Sequence, residues 1–182
     1  MIKSKKDLKY YLQEDLKRYG KKPKWFLRFI YNERYYIYKF FVNLRHYEFY
    51  RNNRGVWYYK ILYIFYALRY ERLSFKYLIR VPANVIGPGF YYVHPGFLCL
   101  NPDVRIGKNA TVLPNVLIGR KTPDVPATIV IGDNCYISTG VTILGQVQIG
   151  NNVTIGANAV VTKDIPDNCV VGGVPATIIK RK

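Results

Sequence analysis

Two histidines, three cysteines and 11 carboxylates are the chain's side chains best suited to proton transfer near neutrality or to metal binding. His94 stands apart from the rest, in the run Tyr91-Tyr92-Val93-His94-Pro95-Gly96. Imidazole, with a reference pKa of about 6.5, takes or gives a proton near neutrality. Transfer of a group to an alcohol needs such a proton acceptor. A lone histidine is as readily a hydrogen-bonded structural group, and residue type alone leaves both roles open. His46 lies among aromatic residues and reads as structural. Two histidines cannot furnish a three-histidine zinc site, and no metal is expected. Cys99, Cys135 and Cys169 are far apart, with no CxxC among them. An odd number of unclustered cysteines suits a reducing, cytoplasmic setting.

What must position these side chains is a repeat. From Ile131 to Val161 an aliphatic residue returns every six positions, at Ile131, Ile137, Ile143, Ile149, Ile155 and Val161. Four residues after each comes another apolar one: Cys135, Val141, Val147, Val153, Ala159 and Ile165. No helix has this period, whereas a strand, whose side chains alternate, keeps both marked positions on one face. The pattern predicts a parallel β-solenoid with a flat strand and a tight corner per hexad, three hexads to a coil. Gly107-Lys108-Asn109, Gly132-Asp133-Asn134 and Gly150-Asn151-Asn152 supply corner residues suited to left-handed backbone. The phase runs earlier through Leu100, Ile106, Val112 and Ile118, and the step from Ile118 to Ile131 is then two hexads plus one position. Pro123 and Pro126 favour a loop there over an irregular coil.

The rest of the chain is different in kind. Residues 1–80 hold 20 Lys+Arg against 6 Asp+Glu, and residues 81–182 hold 8 against 5, which together make the net charge of +17. Fifteen of the 18 tyrosines also fall in residues 1–80. Two compositions predict two units, a basic, Tyr-rich helical region over 1–80 and a β domain with a C-terminal cap over 81–182. Ser4 caps a first amphipathic helix over 4–18. A second helix is expected from Trp25 to about His46, and a third from Gly55 or Val56 to about Tyr70, with 71–80 also helical. The segment from Met1 to Gly20 lacks an apolar core and cleavage site, so it is not read as a secretory signal. Ile61 to Leu68 is too short to span a bilayer.

At IGANAVVTKDIPDNCVVGGVPATII, and in the hexads before it, the chain resembles the hexapeptide-repeat acyltransferases. Within them it is most similar to serine acetyltransferase-type enzymes, including O-acetyltransferases of bacterial surface-polysaccharide loci. The resemblance covers about residues 80–180. It implies a mainly β fold, a left-handed parallel β-helix with an N-terminal α-helical region, assembled as a homotrimer with acetyl-CoA in the grooves between prisms. It also implies that His94 is the catalytic general base. By position in the related galactoside-type motif, Thr139, Ala157, Thr162 and Lys163 match cofactor-contacting sites. Lys180 retains a cationic position. Thr177 stands where that motif has Arg, a lost cation for which Arg181 and Lys182 are candidates to compensate.

The chain departs from the serine enzymes in three places. They carry an acid well before the histidine to orient its ring, and the corresponding Ile79-Arg80-Val81-Pro82 has none. A backbone carbonyl or Asn101, a candidate acceptor-binding residue, is expected to hold the ring instead, with Asp103 as readily a solvated turn residue. The loop GRKTPDVPATIV lacks their second histidine, and no cysteine synthase-docking tail follows. These absences point to a sugar hydroxyl of a cell-surface polysaccharide or its precursor, with serine as the alternative acceptor. The other alternative is a non-catalytic scaffold. For the basic N-terminal region three readings stand: a solvated helical cap, a face toward anionic membrane at its inner surface, or a site for an anionic glycan or nucleotide sugar. No nucleic-acid motif accompanies the charge.

Overall fold

In the computed structural model, which describes residues 1–122, 124, 125 and 128–182, the first helix begins where its cap requires. Ser4 Oγ accepts from the Asp7 amide at 3.0 Å, and Asp7 accepts from the Ser4 amide at 2.8 Å, a reciprocal capping box. Helix α1 is Lys5–Tyr19. The second helix starts later than expected. Trp25–Arg28 is one 3₁₀ turn, and Tyr31 adopts a left-handed φ of 52° that no helix interior allows. Asn32 then caps α2, Glu33–Asn52, by accepting from the Tyr35 amide at 3.2 Å. After the expected break, α3 runs unbroken over Trp57–Tyr77 and stops at left-handed Leu78. Helix does not continue to residue 80, because Ile79 and Arg80 already pair in a sheet.

The strands that follow are β1 (Ile79–Arg80), β2 (Tyr91–Tyr92), β3 (Leu98–Leu100), β4 (Val104–Ile106), β5 (Thr111–Val112), β6 (Val116–Gly119) and β7 (Ile129–Ile131). Beyond them lie β8 (Tyr136–Ile137), β9 (Thr142–Leu144), β10 (Val147–Ile149), β11 (Thr154–Ile155), β12 (Val160–Val161), β13 (Cys169–Gly172) and β14 (Thr177–Arg181). They form three sheets: β1-β3-β6-β9-β12, β4-β7-β10, and β2-β5-β8-β11-β13-β14. All pairings are parallel except β13 with β14. The chain visits the three sheets in turn, and register advances by three hexads per coil in the regular part, as in Ile137↔Ile155 and Ile143↔Val161. The two marked hexad positions are buried throughout, from Ile131 to Ile165.

The long step between Ile118 and Ile131 resolves by register. Ile118 pairs with Ile143, and Ile131 pairs with Ile149, so strands on both sides of the step stay in phase. The surplus over a single hexad therefore falls between β6 and β7 and does not shift the register of the coil. Pro123 and Pro126 themselves lie outside the described residues.

At the corners Asn and Gly play different parts. Asn109, Asn134 and Asn152 take the left-handed backbone, at φ 56° to 58°. The glycine two residues before each is required for space instead. A Cβ on Gly132 would lie 2.7 Å from the Gly150 carbonyl of the next coil, and neither backbone can yield. Gly132→Ala is expected to destabilise by ~1–3 kcal/mol, the range for overpacking. That corresponds to a melting temperature lower by about 2–12 °C in a calorimetric scan, and an unchanged value would refute the close-approach argument.

The helices dock on the start of this coil through a buried cluster. Arg45, fully buried, donates to Asp15 at 2.8 Å and to Glu48 at 3.1 Å. It also donates to the carbonyls of Ile86 at 3.0 Å and Gly87 at 2.6 Å. Asp15 accepts in addition from the Gly89 and Phe90 amides, and Glu48 from the Asn84 amide. Burial works against the guanidinium charge, and Asp15 and Glu48 outweigh it, so Arg45 is held firmly protonated. Around this cluster Phe41 packs on Phe90 and Tyr92, and Tyr19 on Tyr91, so helices and coil share one apolar core.

Candidate active site

His94 sits on the edge where the chain passes from the third sheet to the first. Tyr92 pairs with Val112, and Leu98 with Val116, so five residues (93–97) turn a corner that three (113–115) turn one coil later. The two extra residues push His94 outward. Tyr92 Oη ties the loop back by donating to the Gly96 carbonyl at 3.0 Å.

What holds the imidazole comes from the helices. His94 Nδ1 lies 3.0 Å from Glu33 Oε1, at the first residue of α2. A carboxylate only accepts, so this contact puts the proton on Nδ1 and leaves Nε2 as the ring nitrogen with a free lone pair in the neutral imidazole. Neither of the expected partners is used. Asn101 accepts from the Asp103 amide at 3.0 Å and stands on a different edge, while Asp103 pairs with Arg120 at 2.9 Å. Glu33 lies 61 positions from His94, and no local pattern marks it. The available signal is its place as a first-turn acid behind an Asn cap, which also has an ordinary helix-dipole explanation.

The register sorts the other candidates into rows. Tyr92, Val112, Ile137 and Ile155 are successive partners in the third sheet. The residues two beyond each are His94, Pro114, Thr139 and Ala157, and these share the first edge. With rungs about 4.8 Å apart, Thr139 and Ala157 stand about 10 and 14 Å along the edge from His94. Thr139 Oγ1 donates to the Pro114 carbonyl at 2.8 Å, which binds adjacent rungs of this row together. Leu100, Ile118, Ile143 and Val161 are partners in the first sheet. The residues following them, Asn101, Gly119, Leu144 and Thr162, form a second row on the opposite edge, with Lys163 exposed beside it. Lys180, on β14 opposite Val170, joins neither row. Lys182 Nζ donates to the Asn152 carbonyl at 2.8 Å, on the third edge.

A cavity of about 460 Å³ opens between the helices and the first sheet, lined by Arg51, Tyr70, Glu71, Arg80, Asn101 and Arg120 among others. His94 does not line it. His46 is stacked between Tyr50 and Tyr66, 6.4 and 5.0 Å away, and burial lowers its pKa. That is a packing role.

Known proteins with this repeat bear on the fold. The family model "Bacterial transferase hexapeptide (six repeats)" matches residues 128–163, and "Hexapeptide repeat of succinyl-transferase" matches 103–144. The serine acetyltransferase of Staphylococcus xylosus is 34% identical over 107 residues, which cover 55% of this chain and 47% of that protein. The chain thus spans about half the length of the curated relatives it matches. A Neisseria gonorrhoeae serine acetyltransferase solved in complex with serine superposes with a TM-score of 0.67 at 27% identity, covering 97% of this chain and 71% of the other. The Brucella abortus serine acetyltransferase in complex with coenzyme A gives 0.71 at 22% identity, over 98% and 70% of the two chains, a likeness of fold. Repeat, strand register and relatives agree: the chain carries the hexapeptide repeat of bacterial transferases and is similar, in sequence over its β part and in fold throughout, to serine acetyltransferases.

Proposed function

We infer that the chain is an acetyl-CoA-dependent O-acetyltransferase whose acceptor is the hydroxyl of serine. The observation that carries the reading is the Glu33–His94 pair at the head of the edge that also bears Thr139 and Ala157. His94 Nε2 takes the acceptor's proton as its oxygen attacks the thioester carbonyl, and the coenzyme leaves as the thiol. The thioester is already activated, so no acyl-enzyme is needed. Thr139 and Ala157, small and partly or wholly exposed, suit the slim pantetheine arm, and Lys163 and Lys180 suit its phosphates.

The reading carries assembly and setting with it. The coil is left-handed, as in the superfamily, with residues 1–80 capping a β unit of residues 81–182. Thr162 and Lys163 stand on the opposite edge of the first sheet from His94. A donor touching both rows would lie between two copies, which favours a homotrimer with sites in its grooves. The setting is cytoplasmic.

The matched relatives favour serine over the sugar hydroxyl expected from the departures at Ile79–Pro82 and in the 119–130 loop. Those departures keep the sugar as the second reading. Thiol release from acetyl-CoA decides between them, with serine run against a panel of glycans and nucleotide sugars. Serine is expected to be turned over fastest. A faster sugar moves the assignment to the second reading. If no acceptor frees thiol, the chain is a scaffold and the enzyme reading fails.

A further inference from the structure

The outer face of α3 has no partner. Trp57, Ile61, Ile64, Phe65, Leu68 and Phe75 recur at helical spacing, and each is more than half exposed, Phe75 to 87%. At 100° per residue Lys60 flanks this stripe on one side, Arg69 and Lys76 flank it on the other, and Arg72 lies within it. The helix holds four basic residues against the single acid Glu71, which pairs with Arg80 at 2.8 Å. A second exposed apolar cluster lies in the segment before α2. Trp25, Phe29, Ile30 and Tyr31 are exposed on the 3₁₀ turn and the residues after it, with Lys21, Lys22, Lys24 and Arg28 around them. Arg28 shares a cleft with Arg69, on the rim of the stripe, and with Leu73 and Tyr77, which face the core, so the turn borders the flank of α3 and not its outer face.

We propose that the outer face of α3 is a peripheral docking surface for an anionic lipid bilayer, with α3 lying in the plane of the headgroups. Aromatic and aliphatic side chains enter the acyl boundary while lysines and arginines at the rim reach back to lipid phosphates. No helix among the described residues is long and apolar enough to cross a membrane, and α3 is suited to lie on one. Charge argues against a second copy as the occupant. Two helical regions, each carrying 20 basic against 6 acidic residues, would repel when brought face to face, whereas an anionic surface complements them.

Vesicle flotation of the full chain tests this independently of any catalysis. The protein is expected to float with vesicles of equal parts phosphatidylglycerol and phosphatidylcholine, and to stay unbound with phosphatidylcholine alone. In about 1 M salt, where the screening length falls to about 3 Å, binding should weaken sharply. Phe65→Asp and Phe75→Asp should each lower partitioning about tenfold. Both positions are exposed, and circular dichroism should report a fold unchanged. Absence of flotation with the anionic vesicles overturns the proposal, as does equal binding to neutral ones. So does flotation that both variants leave intact. If the variants instead dissociate a larger species in sedimentation velocity, without changing flotation, the face joins two copies and the proposal is wrong.

Discussion

Replacing His94 by alanine is expected to lower kcat for acetyl transfer by about 10²- to 10⁴-fold, the usual worth of a positioned general base, with little change in KM for acetyl-CoA. The side chain is 58% exposed on an extended corner, so its loss opens no cavity and the melting temperature should hold. A variant with wild-type turnover would remove His94 from the mechanism and leave the fold untouched. Glu33 acts through the ring rather than on substrate, and its effect should be smaller. Loss of a buried orienting carboxylate costs about 10⁴-fold in a serine protease. Here the carboxylate is 48% exposed and water screens the pair, so Glu33→Ala should cost about tenfold in kcat. Glu33→Gln keeps an acceptor for the Nδ1 proton and should recover part of that loss. Rescue by glutamine with KM unchanged separates orientation of the ring from a structural role. If alanine and glutamine variants both match wild type, the 3.0 Å contact is incidental.

How much of this was legible beforehand follows from where the information lies. The hexads state the coil directly, because each buried position repeats at a spacing that only stacked short strands can use. Ile131 through Val161 needed no tertiary knowledge. The corner row is also written in the chain, since register is arithmetic on the repeat once the loop's surplus is located. Thr139 and Ala157 fall into line with His94 for that reason. What the sequence could not show is any contact between the helices and the coil. Glu33 meets His94 only because α2 starts at Asn32 rather than at Trp25, and a left-handed Tyr31 sets that start. The aromatic run from Trp25 onward has no periodicity sharp enough to place the boundary. The end of α3 was obscured in a different way. Leu73, Ser74, Phe75 and Lys76 carry no stop signal, and β3 decides the outcome by pairing with Ile79 and Arg80.

Helix docking has its own decisive residue, and its removal should produce the largest loss of stability. Arg45→Ala leaves Asp15 and Glu48 buried without their cation, a situation that typically costs about 3–5 kcal/mol. Against a usual total of about 5–15 kcal/mol that is a large fraction. The melting temperature should fall by about 10 °C, at about 2–4 °C per kcal/mol for a chain of this size. Buried ion pairs elsewhere can be exchanged for apolar groups at little cost, but this one cannot. Five backbone groups depend on the cluster: the carbonyls of Ile86 and Gly87 and the amides of Asn84, Gly89 and Phe90. With all three side chains made apolar, each would be left without these partners, at about 1–3 kcal/mol apiece. An all-apolar replacement of Arg45, Asp15 and Glu48 should therefore be no more stable than the single variant. Arg45→Lys should fall between, since one ammonium cannot serve two carboxylates and two carbonyls as the planar guanidinium does. Because the cluster seats α2, and α2 carries Glu33, the alanine variant should also lose the Glu33 contribution to turnover as the helices loosen on warming. A melting temperature within about 2 °C of wild type, a shift worth at most about 1 kcal/mol, would show that the helices are held by the aromatic packing of Phe41, Phe90 and Tyr92 instead.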